Sequence, residues 1–162
     1  MTTDPDVLAE ILDALDYPVF IVTTTSGGER AGCLVGFTTQ ASLDPVRFIV
    51  CLSKSNRTYR VATGADYLGV HVVPRDAHAL AELFGGSTGD DVDKFTRCGW
   101  IEGAGGVPLL DDCPGRFVGR ILQTVDAGDH VAFHLEPVEW DGEPAPPLTF
   151  QASKDIEAGH EA

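Results

Sequence analysis

Positive charge is scarce in this sequence. Eleven Lys and Arg stand against 25 Asp and Glu in 162 residues, a net charge of −14. Nucleic acid and anionic membrane surfaces are both held by basic stripes, so neither is an expected partner. Long apolar runs are missing as well, and none approaches the ~18 residues of a membrane-spanning helix. Residues 1–16 carry five acids and no base. That is the opposite of a secretory or organelle leader, and a cytoplasmic location is expected. The four cysteines, Cys33, Cys51, Cys98 and Cys113, form no Cys-x-x-Cys pair, which excludes a paired redox motif and a zinc ribbon. Cys33 and Cys51 lie in apolar runs, where a thiol is expected to act as a small buried hydrophobe.

Several catalytic signatures are absent too. Gly103, Gly105 and Gly106 are misspaced for a dinucleotide fingerprint, and Pro108 holds its third position. There is no Gly-x-x-x-x-Gly-Lys phosphate loop and no Gly-x-Ser-x-Gly elbow. No His, Glu or Cys spacing suits a metal: His130 and His134 in one strand would stand ~13 Å apart.

What is present is a 43% hydrophobic chain, enough for one core without disulfide or metal. Asp4-Pro5 followed by Val7, Leu8, Ile11, Leu12 and Leu15 predicts a capped helix. From Val19 the period becomes that of strands: 19–25 and 30–37 form a hairpin about Ser26-Gly27-Gly28. Further strands are expected over 46–52, 67–73, 116–125 and 130–140, with short helices at 55–62 and 77–84 and a turn around Val92–Phe95. The organisation is an N-terminal helix over 1–16, one domain over 17–150 and a tail over 151–162 that frays after Ser153. Many strands and few helices predict a mainly β fold with flanking helices, a barrel rather than a doubly wound parallel sheet.

Three segments stand out chemically. Lys54, Arg57 and Arg60 gather three of the eleven bases within seven residues, among Ser53, Ser55, Asn56 and Thr58. Hydroxyls, cations and backbone N–H groups at a helix start suit an anion such as a phosphate; a solvated, capped helix start fits the same residues. Phe37-Thr38-Thr39-Gln40, leading to Asp44-Pro45, offers backbone N–H groups and hydroxyls to a flat heteroaromatic ring, or is simply a loop or strand edge. Gly128-Asp129-His130 turns between two long strands; Asp129 there either orients an imidazole that contacts a ligand or belongs to a plain hairpin turn.

In this order the pieces resemble the flavin reductase-like family, the FMN-binding split β-barrels. The resemblance runs from about Tyr17 to Trp140. It rests on Thr39-x-x-Ser42-x-x-Pro45, Lys54-Ser55-x-Arg57-Thr58, the helix at 80–84, Asp93-Lys94-Phe95, Val107-Pro108-Leu109-Leu110 and Gly128-Asp129-His130. It implies that Phe37, Thr38, Thr39 and Gln40 line the isoalloxazine and that Cys51, Leu52 and Ser53 pass beside the flavin. Lys54, Ser55, Arg57 and Thr58 would hold the phosphate, and His130 with Asp129 would meet the nicotinamide. Gln40 and Phe37 are bulkier than the small residues usual there. The resemblance further implies a homodimer and hydride transfer from NAD(P)H to FMN, with a partner oxygenase as one destination of the reduced flavin. The cofactor carries that chemistry, so no protein acid or base is required. The other readings are a non-catalytic FMN carrier, an electron-transfer flavoprotein that does not use NAD(P)H directly, and a split barrel using a deazaflavin or pyridoxal-type vitamer.

Overall fold

A computed structural model describes residues 1–159. Helix α1 (Pro5–Asp13) starts where the sequence places it: the Asp4 carboxylate accepts from the Asp6 N–H at 3.0 Å, and Pro5 fills the first turn. Its apolar stripe stays between 40% and 59% exposed, so no core holds it.

Strands β1 (Phe20–Ser26) and β2 (Glu29–Val35) pair antiparallel. Gly27 and Gly28 take positive φ of 58° and 82° at the turn, which L side chains resist. Strands β3 (Thr38–Leu43) and β4 (Val46–Ser53) form a second hairpin, with a register shift between Gln40 and Ser42. The short helix α2 (Arg57–Ala62) follows, capped by Asn56, whose side chain accepts from the Thr58 N–H at 2.9 Å. Next come β5 (Tyr67–Val72), helix α3 (His78–Gly85), the short pair β6 (Trp100–Glu102) and β7 (Pro108–Leu110), and the long ribbon of β8 (Arg116–Asp126) and β9 (His130–Asp141).

The main sheet runs β2-β1-β5-β8-β9-β4-β3, every pair antiparallel. It curls around one core, Val22, Cys33, Val50, Leu68, Val70, Phe133 and Leu135 among others, drawn from both ends of that order. Strands β2 and β3 share no ladder, so the barrel is split at this seam. Strand β1 is buried on both faces. Phe20 and Val22 point into the barrel, while Val19 and Ile21 pack outward under Leu80, Phe84 and Leu110.

Two expectations need correction. Cys51 is half-buried where Cys33 is fully buried, since Cys51 sits at the seam. Over residues 154–159 the tail is held: Ile156 packs beside the outer core, and the Gly159 N–H bonds to the Gly85 carbonyl at 3.1 Å; the rest of the expected frayed tail lies outside the described residues.

Candidate functional site

The open seam forms a cleft of about 490 Å³. One wall is β2 (Cys33, Leu34, Val35) and the facing one is the end of β4 (Cys51, Leu52, Ser53), with Phe84 and Gly85 of α3 and the tail closing the side. The apolar walls give way at one end to Ser53, Asn56 and the loop Ser87-Thr88-Gly89. Burial pushes the Cys33 thiol up despite a hydrogen bond from Thr58 and holds the Cys51 thiol up as well, so both are neutral lining rather than nucleophiles.

Backbone pairing brings distant residues to the mouth. The Cys51 N–H donates to the Phe37 carbonyl at 2.9 Å, and the β4–β9 register sets Ser53 opposite His130. Phe37 and His130 therefore meet, their ring centroids 5.1 Å apart. The Lys54 N–H donates to the Asp129 carbonyl at 2.9 Å and pins the β8–β9 turn to β4. His130 Nδ1 lies 2.7 Å from Asp129 Oδ1, a bond that holds the Asp129 carboxyl below its usual range.

Phe37, Cys51, Leu52, Ser53 and His130 thus border one cleft. The other residues singled out by sequence lie around it. The Thr38 backbone pairs with Val50, and the Thr39 hydroxyl donates to the Gln40 carbonyl. Gln40 lines a second, shallower cleft of about 580 Å³ with Phe48, Phe117 and Trp140. Lys54 is paired with Asp126 at 2.7 Å. The Ser55 hydroxyl is 2.9 Å from that of Ser53. Arg57 reaches Glu29 at 3.4 Å, Asp90 at 3.7 Å and the Gly89 carbonyl at 3.2 Å; with Arg60 on the same Asp90 it braces the 87–90 loop against α2. Thr58, in the first turn of α2, is buried.

Sequence reasoning assigned no role to the 87–89 loop, Phe150 or Lys94, which line the cleft together with Asn56. Asn56 carried a signal as a helix cap. Lys94 carried none of its own, because nothing in Val92-Asp93-Lys94-Phe95 says that its ammonium is buried. Among the described residues no group of His, Cys, Asp and Glu is arranged for a metal ion. No helix there is long and apolar enough to cross a membrane.

A profile of the family described as "Flavin reductase like domain" matches residues 12–156. The chain is 31% identical over 126 residues to an FMN reductase (NADH) RutF of Bradyrhizobium diazoefficiens, covering 78% of this chain and 69% of that protein. It is 34% identical over 122 residues to one of Variovorax paradoxus, covering 75% and 67%. Among solved structures, an NADH:FAD oxidoreductase of Streptomyces globisporus shares the fold at a TM-score of 0.84 and 24% identity, covering 95% of this chain and 94% of that one.

Proposed function

Because this chain belongs to the flavin reductase-like family, we propose that it is an NAD(P)H:flavin oxidoreductase that binds FMN in the seam cleft. The observation that carries the assignment is the composition of that cleft: apolar strand walls suit a flat ring, and Ser53, Asn56 and Thr88 at one end suit a polar chain and its phosphate. Phe37, Cys51 and Leu52 would hold the ring, with the backbone of 38–40 along its edge. Ser53, Lys54, Ser55, Arg57 and Thr58 form the anion end. Lys54 and Arg57, paired with Asp126 and with Glu29 and Asp90, serve it at long range.

When bound, FMN supplies the hydride-accepting chemistry, so the chain need not provide an acid or base. Its residues orient and exclude water. Asp129 fixes the His130 ring through Nδ1, leaving Nε2 for the carboxamide of a nicotinamide at the mouth, and Phe37 beside it keeps that mouth apolar. The protein works in the cytoplasm as a homodimer. Leu43 and Trp140, 82% and 73% exposed near the second cleft, are the apolar surface a second copy would cover. A partner oxygenase is one acceptor class for the reduced flavin.

Purified protein with FMN is expected to oxidise NADH or NADPH faster than FMN alone. Absence of acceleration with both nucleotides would defeat the enzymatic reading, and tight stoichiometric FMN without turnover would mark a carrier instead.

A further inference from the structure

Of the cations expected at the anion end, Lys54 is engaged with Asp126, and Arg57 is turned to Glu29, Asp90 and the Gly89 carbonyl. Neither side chain lines the seam cleft, whereas Lys94 does. Lys94 is 4% exposed. Its Nζ donates to the Gly32 carbonyl at 3.0 Å and the Phe84 carbonyl at 2.9 Å, and among the described residues it has no carboxylate partner. An ammonium carries three donors, so one remains beyond these two carbonyls. Beyond those carbonyls the ammonium meets the Phe84 ring, 5.5 Å from its centroid; a buried cation with no opposite charge is costly, and a bound anion relieves that cost. The same side chain borders a crevice with Arg57, Thr58 and Gly89, which places it beside the start of α2, where Ser53 and Asn56 line the cleft. Desolvation pushes its pKa down, with nearby Arg57 acting in the same direction.

We propose that Lys94 is the charge-bearing contact for the phosphate of bound FMN, delivered from the buried wall of the cleft rather than from the exposed Lys54 loop. The inference rests on the assignment of the seam cleft as the FMN site. A competing role is purely structural, since the same ammonium ties the end of α3 to β2 through Phe84 and Gly32.

Dissociation constants of FMN and riboflavin, which differ by the phosphate alone, separate the two. Lys94→Met is expected to weaken FMN by about tenfold or more and riboflavin far less, the loss typical of a charged hydrogen bond. Lys94→Arg should retain most of the preference for FMN. Equal weakening of both flavins by Lys94→Met, or an unchanged FMN constant, overturns the proposal. If Lys94→Met does not fold, the ¹⁵Nζ resonance of Lys94 in the wild-type protein decides. A shift with FMN but not with riboflavin supports the contact, and the same response to both overturns it. Wild-type protein that binds neither flavin overturns the assignment of the cleft itself, and this inference with it.

Discussion

His71 lies fully buried between two backbone groups. Its Nε2 accepts from the Leu110 N–H at 3.0 Å, which leaves Nδ1 as the protonated nitrogen donating to the Ile21 carbonyl at 2.9 Å. The neutral ring staples β5 to β1 and β7, and burial pushes its pKa down to about 4. The unfolded chain binds this proton near pH 6.5 and the folded one does not. The contribution is therefore complete above pH 6.5 and declines as pH falls toward 4. From this residue alone, urea melts should lose about 2 kcal/mol between pH 7 and pH 5, and His71→Gln should flatten that slope. At the site, His130→Ala should raise KM for the nicotinamide by about tenfold, the usual worth of one lost hydrogen bond, with the FMN constant little changed. Steady-state kinetics with FMN titrated separately checks this, and an altered FMN constant with normal KM would assign His130 to the flavin.

Strand β5 shows what an element tolerates. Gly69 pairs with Thr23, and a Cβ there would lie 2.3 Å from Thr23 Oγ1 and 2.9 Å from Val107. The Thr23 hydroxyl is buried and already donates to the Pro108 carbonyl at 2.6 Å, so it has nowhere to move. Gly69→Ala should cost about 1–3 kcal/mol by overpacking, read from chemical denaturation with the slope unchanged. Most elements were legible because their signals are local. Asp4-Pro5 and Asn56 cap helices, Gly27-Gly28 turns a hairpin, and β8 and β9 alternate around Gly128-Asp129. Strand β3 was legible only as a loop or strand edge, because Thr38–Leu43 has little apolar character and its strand form depends on β4. The site divides in the same way. Ser53 and His130 were read from residue type, but their meeting depends on a β4–β9 register that no local pattern encodes. The orientation of Lys54 and Arg57 toward Asp126, Glu29 and Asp90 is likewise tertiary.

For the whole molecule, the apolar residues left outside either core, Leu43 and Trp140 above all, set the expected assembly. Leu43→Glu with Trp140→Glu should convert a dimer to monomers in sedimentation equilibrium. A wild-type chain that sediments as a monomer would remove the dimer from the reading. The barrel also has a discontinuity. β2 and β4 face each other across the seam without a ladder, so this is where the wall has fewest internal bonds to break. A guest lodged there contacts both lips and opposes their separation. Thermal resistance should then climb with guest concentration, by about 2.7 kcal/mol at a hundredfold excess over its dissociation constant. Hydrogen exchange should slow first along Cys33–Val35 and Cys51–Ser53, so the gap in the wall makes occupancy and rigidity a single variable.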